Sequence, residues 1–175
     1  MLFRSVAACG YNTIQRYDEQ VNSAESQIKV QLQRRADLVP NLVETVKGVA
    51  KQELAVFTEV AEARARLAGA VQGGTLAQMA DANAALTAPL GRLLALVESY
   101  PELKANQNYL ELQSQIEGTE NRIAQERQRF NAAVQSYNTA IRVFPASLVA
   151  SIRGFDAKEF FQADPGSQKA PQVKF

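Results

Sequence analysis

Apolar and polar positions alternate with helical periods along most of this chain. Between Tyr11 and Asp37 the residues Ile14, Tyr17, Val21, Ala24, Ile28 and Leu32 recur in steps of three and four, which places them on one stripe of a helix. The stripe runs into DLVPN. Pro40 lacks an amide hydrogen and disfavours helical geometry at Val39, so the first helix is predicted to end or bend sharply near Asp37, with Pro40 in the first turn of the next. From Asn41 the pattern resumes with Leu42, Val46, Val49, Val56, Val60, Ala63 and Leu67, interrupted at Glu53, and predicts one long second helix that stops at Gly73-Gly74.

Thr75 is placed to cap a third helix through its hydroxyl. That helix carries Leu76, Met79, Asn83, Leu86, Leu90, Leu93, Val97 and Tyr100, with a kink or break expected around Pro89 and Gly91 and an end at Pro101. The fourth, from about Glu102, has the most regular repeat: Ile116, Ile123, Phe130, Tyr137 and Phe144 at steps of seven, with Leu112, Thr119, Ala133 and Ala140 between them. Sevenfold spacing keeps one seam facing its partner helices, so Phe130, Tyr137 and Phe144 are expected in the core. Pro145 then starts a short helix through Ile152, the chain turns at Gly154, and DAKEFF reads as another short amphipathic piece before an extended tail. The fold class is therefore all-α: an elongated up-and-down four-helix bundle with short C-terminal helices and an extended C-terminal tail.

Composition adds mainly exclusions. The 175 residues are 46% hydrophobic, enough for one domain with a real core. With 19 basic and 18 acidic residues there is no overall field to draw nucleic acid, and no nucleic-acid partner is expected. Histidine is absent, which removes the commonest acid–base group near neutral pH and the commonest metal ligand. Glu59 with Glu62 and Glu117 with Glu120 have helical spacing, but dinuclear bundle sites pair such glutamates with a histidine three residues on, so these read as solvated faces. No GxSxG, P-loop or Cys–His pair occurs. The expectation is a protein that is not an enzyme, with no catalytic residue, no cofactor and no metal.

Two groups of residues stand out as candidate contacts. In QRRADLVPN, Arg34, Arg35, Asp37 and Asn41 make a dense polar cluster, read either as an anion or partner contact or as a structural one. In the structural reading Arg34 pairs with Asp37, while Arg35 lays its stem on the core edge and meets a carboxylate of a neighbouring helix. Phe155, Phe160, Phe161 and Phe175 crowd a short C-terminal region, where they dock against the bundle or form an apolar contact for a partner or membrane.

The stretches YNTIQRYDEQVNSAESQIKVQLQRRADLVPNLVETVKGVAKQE, EARARLA and ANAALTAPLGRLLALVESYPELKANQNYLELQSQIEGTENRIAQERQRFNAAVQSYNTAIRVFPASLVA resemble the LemA family, from about Cys9 to the last residue. The resemblance implies a long four-helix bundle attached to a bacterial membrane by an N-terminal hydrophobic segment, with no established enzymatic activity or cofactor. The expected organisation is then residues 1–10 as the remnant of a membrane anchor or lipoprotein signal, 11–162 as the bundle and 163–175 as the tail. It implies a membrane-anchored scaffold or interaction protein of the cell envelope, open to self-association, with protein partners unspecified. The alternatives are a soluble cytoplasmic coiled-coil adaptor and a regulatory subunit of an envelope enzyme.

Cys9 follows Val6-Ala7-Ala8, as in the site where bacterial lipoproteins are cleaved and acylated. Only MLFRSVAA precedes it, shorter than the charged start and apolar stretch of about 7 to 15 residues that a signal peptide needs. Three readings stay open: lipid attachment at Cys9 in a protein that begins further upstream, an inert residue at the end of a transmembrane helix, or a soluble protein in which Cys9 has no role.

Overall fold

The computed structural model describes residues 2–161, with side chains from Gly10 onward. Six helices follow in order: α1 Leu2–Lys47, α2 Leu54–Gly73, α3 Leu76–Val97, α4 Pro101–Lys104, α5 Gln107–Ala140 and α6 Ala146–Arg153. There is no strand among the described residues. The fold is all-α, with long helices packed up-and-down. None of these helices is long and apolar enough to cross a membrane.

Two units make up the chain, and α1 and α5 contribute to both. Unit 1 contains residues up to Ile28 together with Ala124–Phe161, and unit 2 contains Lys29–Ile123. In unit 2, α2, α3 and α4 join the second half of α1 and the first half of α5. Its core is apolar at Leu32, Leu42, Val46, Val60, Leu67, Met79, Leu86, Leu93 and Leu103, all buried. In unit 1, the first half of α1 and the second half of α5 run antiparallel, completed by α6 and an extended segment, 155–161. Ile14, Val21 and Ile28 of α1 and Phe130, Val134 and Tyr137 of α5 form its core.

Pro40 does not end α1, which runs unbroken to Lys47. A proline inside a helix leaves the carbonyl four residues earlier without its amide partner, here that of Ala36, which is fully buried. Arg64 of α2 replaces it: its Nε donates to the Ala36 oxygen at 3.1 Å. The break comes instead at residues 48–53, where Ala50 rather than Val49 turns inward and its amide closes onto Val46 at 2.9 Å. The predicted second helix is thus the last turns of α1 followed by α2, with Phe57 buried where Val56 was expected.

Other boundaries follow local chemistry. Thr75 closes a capping box with Gln78, each side chain taking the other's backbone amide at 3.3 and 2.8 Å. α3 continues through Pro89 without a break, and Ala85, whose carbonyl loses its partner there, is exposed to water. Pro101 opens α4. Asn106 caps α5, its Oδ1 accepting from Asn108 and Tyr109 amides at 2.9 and 3.2 Å.

At the far end, α5 stops at Ala140, so Phe144 leaves the heptad seam and is exposed rather than core. Gly154 ends α6 in the left-handed conformation, φ 70°, suited to a residue without a Cβ. DAKEFF is not helical; 155–161 is an extended strap.

The Pro40 arrangement yields a double-mutant cycle. Arg64→Ala should cost about 1–3 kcal/mol by stranding the Ala36 carbonyl. In a Pro40→Ala background, where an amide hydrogen is restored, the same change should cost well under half of that, as read by urea denaturation.

Candidate functional site

The seam of α1 is the starting point. Ile14, Val21 and Ile28 follow one another at steps of seven, and the next steps are Arg35 and Leu42. Arg35 therefore occupies a core position and is only 2% exposed. Its guanidinium finds two acceptors from other helices of unit 2: Nη1 donates to Asn83 Oδ1 of α3 at 2.7 Å, and Nη2 forms a short ion pair with Glu120 of α5. Asn83 is itself buried. Beside them Thr119 Oγ1, fully buried, donates to the Ile116 carbonyl at 2.6 Å.

This geometry divides the polar cluster read from the sequence. Arg35 faces the interior, while Arg34, Asp37 and Asn41 are exposed and line an open depression on α1 together with Val30, Gln33 and Leu38. Asp37 accepts from Gln33 Nε2 at 2.8 Å, a bond from the turn before it. Glu59 of α2 pairs with Arg92 of α3 at 2.6 Å, and Glu120 with Arg35, so one member of each acidic pair noted in the sequence ties two helices together.

A second constellation belongs to unit 1. Asn131 and Asn138, one heptad apart on α5, each bind the strap in both directions. Asn138 accepts from the Lys158 amide at 2.8 Å and donates to its carbonyl at 2.9 Å; Asn131 does the same for Phe161 at 2.8 and 3.1 Å. Each side-chain amide stands in for a neighbouring strand, supplying the bonds that the extended backbone would otherwise lack. The side chains add to this. Lys158 pairs with Asp18 at 2.6 Å and lies over the Tyr137 ring at 5.2 Å. Phe161 is buried edge-on against Phe130, with the Arg127 guanidinium 4.6 Å above its ring.

The phenylalanines thus separate. Phe161 is a core residue, Phe155 is half-buried beside Tyr11, and Phe160 is exposed. Nothing in the sequence period marks Asn131 and Asn138 as ligands of the strap, except that both stand one position after seam residues Phe130 and Tyr137. The Cys9 side chain, Phe175 and the 163–175 tail lie outside the described residues. Among the described residues no group of three or more Cys, Asp or Glu converges as metal ligands would.

Two tyrosines have perturbed hydroxyls. Burial, then Glu117 and Glu98, raise Tyr109 above its usual value near 10. Burial, then Asp18 and Asp156, do the same for Tyr137 under the strap. Both favour the neutral phenol, so their stabilisation is complete below pH 10 and is lost as pH rises through the raised folded value. Stability should therefore fall above about pH 10, and Tyr137→Phe should flatten that fall relative to wild type in an alkaline denaturation series.

Glu120→Ala would leave the Arg35 charge buried against Asn83 without its carboxylate. Because Glu120 is itself half-exposed and water can take part of its place, the change should destabilise the protein by about 1–3 kcal/mol, and Glu120→Gln by less, since an amide oxygen still accepts from the guanidinium. Thermal unfolding of the two variants checks this order.

The comparisons with known proteins agree with the resemblance in the sequence. The sequence model of the LemA family matches residues 24–175. The chain is 29% identical over 178 residues to Magnetosome protein MamQ 1 and Magnetosome protein MamQ 2 of Paramagnetospirillum magneticum, covering 89% of this chain and 65% of each relative. It is 28% identical over 189 residues to Magnetosome protein MamQ of Magnetospirillum gryphiswaldense, covering 93% of this chain and 70% of the relative. The chain thus spans about two thirds of the length of these relatives. With the family pattern extending over most of its length, this all-helical chain belongs to the LemA family.

Proposed function

We propose that this protein is a non-enzymatic scaffold or interaction protein of the bacterial cell envelope, held at a membrane through its N-terminal region. It works by presenting its helix faces to a protein partner or a second copy. The observation that carries this reading is the division of labour on α1 around Arg35. The buried side anchors α3 and α5 through Arg35, while the opposite side offers Gln33, Arg34, Asp37 and Asn41 on an open depression. A rigid core with an exposed mixed-charge face suits recognition of a protein surface. The curated relatives are named as magnetosome proteins, which fits a role at a membrane-bounded structure.

Fractionation of bacteria producing the protein tests the membrane part. The protein should pellet with membranes and stay there through a high-salt wash; recovery in the soluble fraction would favour the adaptor reading. Arg34→Glu tests the face. It should remove partner adducts in crosslinked cells while leaving the unfolding midpoint within about 0.5 kcal/mol of wild type, as for an exposed site.

A further inference from the structure

Large apolar side chains that are exposed are scattered singly over most of the described residues, with one exception. Val143, Phe144, Leu148 and Ile152 are 56%, 73%, 50% and 83% exposed and fall within ten residues of one another. Leu148 and Ile152, four residues apart, share one exposed side of α6, and Val143 and Phe144 are exposed in the non-helical turn just before it, so turn and helix together carry the apolar ridge. The inner side of α6 is accounted for, since Ala146 and Ala150 are buried and Ala146 and Val149 lie against Gly10 of α1. The ridge therefore sits beside the N-terminal end of α1.

The charges directly flanking the ridge are basic, while Arg129 on α5 is paired with Glu126 and the strap just beyond carries the exposed carboxylates Asp156 and Glu159. From Arg127 to Phe155 the sequence holds Arg127, Arg129, Arg142 and Arg153 and no carboxylate, and α1 has no carboxylate before Asp18. Arg142 and Arg153 flank the ridge and are exposed, Arg153 lying over the Tyr11 ring at 5.7 Å. Asp18, the first acid of α1, is paired with Lys158. An apolar ridge bordered by arginines matches the two layers of an anionic membrane interface, with acyl chains below and phosphate headgroups above. A symmetric pairing of two ridges would bring like-charged arginines together instead.

We propose that the ridge Phe144–Leu148–Ile152, with Arg142 and Arg153, is a contact surface for an anionic lipid bilayer. The proposal rests on the reading that the protein works at a membrane, and it adds a site separate from the N-terminal segment. The ridge dips to the level of the acyl chains while the arginines meet lipid phosphates. This fixes the end of unit 1 against the bilayer surface.

The chain contains no tryptophan, so Ile152→Trp in the full chain gives a single-site fluorescent reporter. Circular dichroism first confirms that its helicity equals wild type. With vesicles of equal phosphatidylcholine and phosphatidylglycerol, emission should shift to the blue and be quenched by brominated acyl chains. With phosphatidylcholine alone the shift should be weak. Gln128→Trp, on an exposed part of α5 about 18 Å back along the helix from its end, should stay unquenched. Adding Arg142→Gln and Arg153→Gln should lower affinity for the anionic vesicles about tenfold or more, and Phe144→Ser with Leu148→Ser should abolish the quenching.

If the Ile152→Trp protein sediments with vesicles but its emission is unchanged, the ridge proposal falls and the membrane reading stands. If it neither sediments nor shifts, both fall. A blue shift that grows with protein concentration in the absence of lipid would overturn the proposal in favour of a second copy covering the ridge.

Discussion

A guanidinium in the core governs how the helices of unit 2 can fit together. Arg35 replaces an apolar residue in the sevenfold seam of α1, and burying a charge is costly unless acceptors are fixed around it. Asn83 of α3 and Glu120 of α5 supply them from two different helices, so one side chain sets the position of three. Any slip of α5 by a turn would carry Glu120 about 5 Å away and strand the charge. An isolated polar residue in an apolar seam is a known device for fixing register. Here the specificity of packing and the stability of the unit depend on the same pair.

The continuity of α1 has a similar origin. Proline disrupts a helix because it strands a carbonyl and crowds the preceding turn, and a buried carbonyl such as that of Ala36 has no water to turn to. Arg64 reaches across from α2 and donates to it. The interaction that keeps α1 whole is thus also a tie between helices, and the side chain responsible lies 28 positions away in sequence. Unit 1 uses the same principle for the strap, whose exposed backbone groups are met by two asparagines on α5. In each case a lone backbone or charged group is satisfied by a polar side chain from another element.

These arrangements leave the surface free for other work. Two ion pairs, Arg35–Glu120 and Arg92–Glu59, tie helices to one another, and the depression at Arg34, Asp37 and Asn41 is open along a helix face. Exposed chemistry is then concentrated in two places: the mixed-charge face at Arg34, Asp37 and Asn41, and the apolar ridge with its arginines at the start of α6.

The sequence by itself determined the helices and the apolar seams, because a period of three to four or of seven is a local geometric fact that survives in any packing. Ile14, Val21, Ile28, Ile116, Ile123, Phe130 and Tyr137 are buried where that period places them. Extending the α1 seam by seven from Ile28 also points to Arg35, and a carboxylate from a neighbouring helix is the partner its structural reading expects, although nothing in the sequence singles out Glu120 or Asn83. Helix ends at Gly73 and Thr75 were legible from capping chemistry. What tertiary structure decided was every case in which a distant group changes a local rule. Proline reads as a break until Arg64 arrives, Phe144 reads as core until α5 stops four residues short of it, and DAKEFF reads as a helix until two asparagines hold its backbone extended. The partner of an orphaned backbone group lies tens of residues away, and no periodicity in the chain records which one it will be.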